Sequence, residues 1–376
     1  MVDYNEEIKA LQDEIGKTQY NKATQHHIGL VKAKIARLRE KAAARSKGGK
    51  KGEGFSVRKS GDATVILIGF PSVGKSTLLN KITNAESKTA AYAFTTLTCI
   101  PGIMEYGGAK IQILDVPGLI KGAATGTGRG REVIAVARNA DLAVIMVDVF
   151  TANQVEILKK ELEEADIKVN QQPPRMTVTK KDRGGLNIAT TVKLTKLEPK
   201  TIEAIMNEFR IMNGEVVLRE DIDSDQLIDF LEGNRKYMPA MIVVNKIDSL
   251  TDEGFRQLQE KMQNELGNAT KEGFMDIIYV SAEKGTNLER LKEAIYNRLD
   301  LIRIYLKETG KKPDMENPLI MKHGCTVKDV CEKLHKDFVT KFKFGKVWGK
   351  SAKFPGQKFK IDHKLLDKDV VEVHQR

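Results

Sequence analysis

The sequence predicts an α/β protein built on a mostly parallel sheet, with a helical hairpin before it, an α+β subdomain inserted into it and a basic module after it. Three observations predict this. Short β-branched runs alternate with stretches of helical periodicity from Asp62 onward. The first run leads directly into a glycine-rich loop and a helix. Residues 167–237, between two later buried runs, are far too long for an ordinary strand–helix connection.

The glycine-rich loop is Gly69-Phe70-Pro71-Ser72-Val73-Gly74-Lys75-Ser76, which fits G-x-x-x-x-G-K-[ST] at every fixed position. Residues 62–68 read as the strand before it, and residues 77–82 as the helix it opens. In that setting successive backbone N–H groups and the helix N-terminus favour phosphate oxygens. Gly69, Ser72, Val73, Gly74, Lys75, Ser76 and Thr77 are therefore the expected phosphate-binding residues. The Lys75 ammonium reaches the β and γ phosphates, and the Ser76 hydroxyl ligates Mg²⁺.

Residues 90–98 (AAYAFTTLT) lie where a nucleotide-dependent switch segment belongs, and one of their threonines is expected to close over Mg²⁺ and the γ-phosphate. Thr96 is favoured, with Thr95 the competitor. Residues 110–116 (KIQILDV) form another strand running into Asp115-Val116-Pro117-Gly118. An acid at the end of such a strand can hold the Mg²⁺ hydration shell, and the Gly118 N–H can bond the γ-phosphate. Leu119 follows, where many GTPases carry a glutamine that orients water. Leucine cannot do this, so slow intrinsic turnover and help from outside are expected. Arg129 and Arg131 lie in the glycine-rich segment beyond, as a mobile basic loop.

Residues 140–149 and 240–244 give further buried strands, the second ending in Asn245-Lys246-Ile247-Asp248. This N-K-x-D tetrad selects guanine: the Asp248 carboxylate can accept from N1–H and the exocyclic amino group, which adenine does not present. Asn245 orients the loop, and the Lys246 stem packs on the purine face. Residues 276–281 form a sixth strand ending in Ser281-Ala282-Glu283-Lys284, whose N–H groups can meet guanine O6. In this order, each at the carboxyl end of a strand, the motifs predict GTP and GDP as ligands of a P-loop GTPase domain.

The chain has 376 residues, 41% hydrophobic and 30% charged, enough for two or three domains. No apolar run is long enough to span a membrane and the N-terminus lacks a secretory signal. Cys99, Cys325 and Cys331 have no zinc or disulfide spacing, and His323, His335, His363 and His374 no metal-ligand spacing. A cytoplasmic location is expected. The net charge is +11, with 14 Lys and Arg against 7 Asp and Glu in residues 1–59, and 18 against 10 in residues 303–376. The centre is therefore acidic and the ends basic, which points to RNA or a ribonucleoprotein at the ends. The expected organisation is a basic helical hairpin at 1–46, a linker at 47–60, the nucleotide domain at 61–166 and 238–301, the inserted α+β subdomain at 167–237, and the basic module at 302–376. The apolar stripe Ile28, Val31, Ile35 and Leu38 is read as the hairpin's own packing face, with Lys32, Lys34 and Arg37 on its basic side. In the insertion, strands are expected at 175–179 and 188–194 and helices at 198–212 and 224–232. In the last module a capped helix is expected at 326–338, a strand at 342–348, and Phe342, Phe344, Trp348, Phe354 and Phe359 as core or as base-stacking residues.

The segments GFPSVGKSTLLNKIT, AYAFTTLT, ILDVPGLIKGA, GRGREVIAVARNADL and YMPAMIVVNKIDSL resemble the motifs of the DRG family of developmentally regulated GTP-binding proteins, within the Obg-related GTPases. The likeness runs nearly end to end, and residues 302–376 resemble a TGS domain, a ubiquitin-like β-grasp module. The resemblance implies nucleotide and magnesium roles for Lys75, Ser76, Thr96, Asp115, Asn245 and Asp248. It also implies an inserted domain and a hydrophobic residue at position 119. Potassium stimulation is reported for relatives, although potassium-activated ones often carry Asn where this chain has Ser72. The expected function is a monomeric GTP-hydrolysing switch acting with the ribosome, rRNA or tRNA, and with a regulatory protein. The alternative is a ribosome or RNA adaptor in which GTP sets conformation and hydrolysis is incidental.

Overall fold

A computed structural model describes residues 4–19, 21, 24–46, 61–83, 100–115, 128–267 and 276–375. The chain opens with α1 (Tyr4–Lys17) and α2 (Gln25–Ser46). Then come β1 (Ala63–Ile68), α3 (Lys75–Ile82), β2 (Ile100–Tyr106), β3 (Ala109–Asp115), α4 (Gly128–Asn139), β4 (Leu142–Asp148), α5 (Val155–Glu164) and β5 (Ile167–Val169). The insertion supplies β6 (Met176–Lys180), β7 (Leu186–Thr190), α6 (Pro199–Glu208), β8 (Gly214–Leu218), α7 (Ser224–Glu232) and β9 (Lys236–Met238). After it run β10 (Ala240–Asn245), α8 (Asp252–Gly267), β11 (Ile277–Tyr279) and α9 (Leu288–Arg298). The chain ends in β12 (Leu301–Leu306), β13 (Leu319–Lys322), α10 (Val327–Leu334), α11 (Lys336–Thr340), β14 (Phe342–Trp348), β15 (Gln357–Phe359) and β16 (Asp369–Gln375). No helix among the described residues is long and apolar enough to cross a membrane. The chain divides into two compact units, Met1–Gly54 with Gln171–Tyr237, and Phe55–Asn170 with Met238–Arg376.

The larger unit holds a six-stranded sheet in the order β11-β10-β4-β1-β3-β2, parallel throughout except for β2 against β3. β1, β4 and β10 are buried along their whole length, as strands covered on both faces must be. Leu78, Leu79 and Ile82 of α3 pack on one face with Leu291 and Ile295 of α9. Ala137 of α4, Leu158 and Leu162 of α5, and Met262 of α8 pack on the other. The register sets Leu67 beside Asp115 and Asp148 beside Asn245, so β1, β3, β4 and β10 finish on one rim. β2 was not anticipated, because Pro101 and Gly102 dilute its strand signal. It is an edge strand, where proline is tolerated. A Cβ on Gly102 would stand 2.5 Å from the Thr83 methyl, so only glycine lets β2 pass close to the end of α3.

The same unit carries a five-stranded sheet, β13-β12-β16-β14-β15, the β-grasp arrangement expected of residues 302–376. Ile302, Ile304, Val347 and Val371 pack on one face against Val327, Val330 and Cys331. Burial pushes the Cys325 and Cys331 thiols up to about 11. The single helix expected at 326–338 is two helices: His335 is extended (φ −169°), and its Nδ1 accepts the Asp337 N–H to start α11. Phe342 and Phe359 join the core, whereas Phe344 stacks on His374, Trp348 lies under the Lys307 ammonium, and Phe354 is exposed. Ile320 reaches the core beneath the six-stranded sheet. Lys322 pairs with Asp141 at 2.9 Å and Lys333 with Asp62 at 3.2 Å, at the amino ends of β4 and β1.

In the smaller unit β6, β8 and β7 form a three-stranded sheet with β8 in the centre, antiparallel to β6 and parallel to β7. β8 was not read from the sequence, and its pairing sets β7 at Leu186–Thr190 rather than 188–194. α6 stops at Glu208, short of the expected 212, as Arg210 turns left-handed (φ 58°). α7 is fixed by a capping box in which Asp223 accepts the Gln226 N–H and Gln226 accepts the Asp223 N–H. α1 packs along α2, with Glu7 paired to Lys34 at 3.5 Å and Glu14 to His27 at 2.9 Å, and Ile28, Val31, Ile35 and Leu38 of the stripe are buried. α2 has a second packed face, since Ala33 and Ala36 lie in one core with Ile202, Ile205, Val216 and Leu227. The face read as basic is partly paired here too: Lys32 with Asp225 at 2.7 Å and Arg37 with Glu208 at 3.1 Å. Helical period alone did not reveal this second face, because its alanines carry little hydrophobic signal.

Candidate functional site

The phosphate loop joins β1 to α3. Ser72 (φ 67°) and Gly74 (φ 96°) both turn left-handed, which curls the chain around a concavity at the helix N-terminus. A Cβ on Gly69 would meet the Met146 carbonyl oxygen at 2.2 Å, and one on Gly74 would meet Asn245 Nδ2 at 2.4 Å, so both glycines are fixed by close approach. Val73 is buried, while Ser72, Ser76 and Thr77 are exposed on the rim. The Lys75 ammonium turns back to donate to Gly69 O at 2.9 Å and Phe70 O at 3.0 Å. Burial lowers its pKa, partly offset by the Asp115 carboxylate.

Ser76 Oγ donates to Asp115 Oδ2 at 2.7 Å. Asp115 Oδ1 is buried and has no partner among the described residues. A hydroxyl beside a carboxylate with an uncompensated oxygen is a hard-oxygen donor set, and it fits Mg²⁺. Thr95, Thr96, Gly118 and Leu119 lie outside the described residues.

Asn245 ends β10, is 3% exposed, and braces two loops: its Nδ2 donates to Val73 O at 2.9 Å, and its Oδ1 accepts the Ala282 N–H at 2.9 Å. Lys246 is left-handed (φ 63°), and the single 3₁₀ turn Ile247–Ser249 presents Asp248. A hydrogen bond from Ser281 holds the Asp248 carboxyl below its ordinary value. Ser281 is buried and accepts the Lys284 N–H at 3.1 Å, Ala282 is buried, and Glu283 is exposed. The N–H groups of Ala282 and Lys284, expected to face a base, are thus engaged by Asn245 and Ser281.

Two residues at this rim were not anticipated. Asp148, at the end of β4, pairs with Lys246 at 2.7 Å and is capped by Thr151. The available signal was an acid closing an apolar strand, as at Asp115, here with a hydroxyl three residues on.

The fold and rim define a GTP-binding protein with a P-loop GTPase domain and a C-terminal TGS domain. Residues 64–181 match the family model described as "50S ribosome-binding GTPase", residues 183–301 the model for the C-terminal region of that domain, and residues 302–375 the TGS domain. The chain belongs to the developmentally regulated GTP-binding protein family. It is 46% identical to Developmentally-regulated G-protein 3 of Arabidopsis thaliana and 43% identical to Developmentally-regulated GTP-binding protein 2 of Homo sapiens, covering 98% of this chain and 98% of each relative. It is 55% identical to a GTP-binding protein of Methanocaldococcus jannaschii, over 98% of this chain and 92% of that one.

Proposed function

We propose that the protein is a GTP-hydrolysing molecular switch whose basic appendages dock on the ribosome or its RNA. The observation that carries this reading is the bracing of three strand ends, Ser76 to Asp115 and Asn245 to both Val73 and Ala282. It supports phosphate, cation and base recognition on one rim. In the proposed reaction water attacks the γ-phosphorus in line with the oxygen bridging to the β-phosphate. That bond breaks, and GDP and orthophosphate leave. N–H groups of Gly69 and residues 72–77 hold the phosphates, and Lys75 exchanges its carbonyl partners for β and γ oxygens, offsetting charge in the transition state. Ser76 and Asp115, with Thr96, would hold Mg²⁺, which when bound neutralises phosphate charge. The Gly118 N–H bonds the γ-phosphate. Asp248 reads the guanine edge, Lys246 supports its face, and Asn245 fixes the loop, with Ser281, Ala282 and Glu283 flanking O6. With Leu119 unable to orient water, intrinsic turnover is slow and a potassium ion or a partner completes the site.

The ribosomal part of the reading rests on the basic ends and on the description of the matched family model. The test is steady-state GTP hydrolysis in sodium and in potassium buffer, each with and without ribosomes. Stimulation by either addition supports the switch and identifies the missing component. Absence of stimulation, together with ribosome binding equal in GTP and GDP, favours an adaptor instead.

A further inference from the structure

We propose that Asp148 is a positioning residue for guanine recognition, acting through Lys246. This rests on the proposed reading of the 245–248 loop as the part that reads the base. Asp148 is 5% exposed and stands beside Asn245 in the sheet register. Its Oδ1 accepts the Phe150 N–H at 3.1 Å, the Thr151 N–H at 3.0 Å and the Thr151 hydroxyl at 2.8 Å, while Thr151 Oγ1 accepts the Asp148 N–H at 3.1 Å. The carboxylate therefore cannot rotate, and its Oδ2 faces the Lys246 ammonium at 2.7 Å.

Lys246 is held at both ends. Its backbone sits in the left-handed region, which a side chain with a Cβ adopts only when its surroundings enforce it, and its ammonium is pinned by Asp148. The four-carbon stem between them loses its rotamer freedom before a nucleotide arrives, which makes it a prepared floor for a purine. Burial pushes the Asp148 carboxyl up, but Lys246 and Thr151 together hold it below its ordinary value, so the carboxylate stays charged at neutral pH.

Asp148 has two separable tasks: capping the turn at Phe150 and Thr151, and anchoring Lys246. Asp148→Asn keeps an acceptor for the turn and removes the charge. The experiment measures equilibrium binding of GDP, of inosine diphosphate (which lacks the 2-amino group) and of ADP to the full chain. It compares wild type, D148N, Lys246→Met and the double variant, with thermal unfolding of each ligand-free protein. D148N is expected to weaken GDP and inosine diphosphate alike by about tenfold, with the double variant no weaker than the single ones. The GDP to inosine diphosphate ratio stays at the wild-type value, since the 2-amino contact belongs to Asp248. Affinity within about twofold of wild type, additive losses, a changed ratio, or a loss matched by unfolding of the free protein overturns the proposal. Asp248→Asn is run in parallel. If it keeps the wild-type preference for GDP over ADP, the base-reading assignment itself fails, whatever D148N does.

Discussion

The Ser76 hydroxyl donates to Asp115 Oδ2 at 2.7 Å, tying the first turn of α3 to the end of β3, while Oδ1 of the same carboxylate is buried without a partner among the described residues. An unpaired buried carboxylate oxygen is costly, and a hard cation satisfies it. Ser76→Ala is expected to raise the magnesium concentration needed for tight GTP binding by tenfold or more, on the order of one charge-assisted contact. The check is a magnesium titration at fixed labelled nucleotide. An unchanged midpoint would remove Ser76 from the cation site.

Asn245 satisfies two buried backbone groups, Val73 O and the Ala282 N–H. Asn245→Ala leaves both without partners, at about 1–3 kcal/mol each. A drop in stability on that scale, read by denaturant unfolding of the nucleotide-free protein, should accompany weaker GDP binding. Weaker binding at full stability would mean that the bracing is not structural.

Glu372 is 2% exposed and is surrounded by Lys307, Lys346 at 3.5 Å and His374 at 2.6 Å. Burial pushes its carboxyl up, yet Lys307 and His374, with help from Lys346, bring it below the ordinary 4.5. A depressed folded-state pKa means that the contribution is complete above the unfolded value and is lost as pH falls through the lowered one. Glu372→Gln should destabilise the C-terminal domain by about 1–3 kcal/mol at neutral pH, because it leaves the half-buried Lys307 and Lys346 ammonium groups without their carboxylate. The deficit should shrink below pH ~4. Unfolding followed through Trp348 fluorescence measures it, and a deficit constant with pH would rule out the charge explanation.

Ala33 is fully buried in the smaller unit's core beside residues of α6 and α7. Ala33→Leu overfills this site and should destabilise the unit by about 1–3 kcal/mol. Limited proteolysis should then cut faster within residues 171–237. If cutting there is unchanged, α2 is not part of that core.

The phosphate loop, Asp115 and the 245–248 tetrad were legible because each is a short motif at a strand end, where backbone spacing fixes the chemistry. β2 and β8 were not legible. β2 carries Pro101 and Gly102, and β8 is a short run given its place by pairing with β6 and β7. Asp148 was missed because its partner Lys246 is 98 residues away.

By itself the sequence determined the alternation of strands and helices, the order of the nucleotide motifs and the family, since periodicity and spacing are local properties of the chain. The tertiary structure alone decided that Ala33 and Ala36 of α2 enter a core with α6 and α7, that His335 divides the last helical segment, and that Asn245 and Asp148 brace separate loops. These depend on which surfaces meet across long sequence separations. Burial and pairing there outweigh local preference.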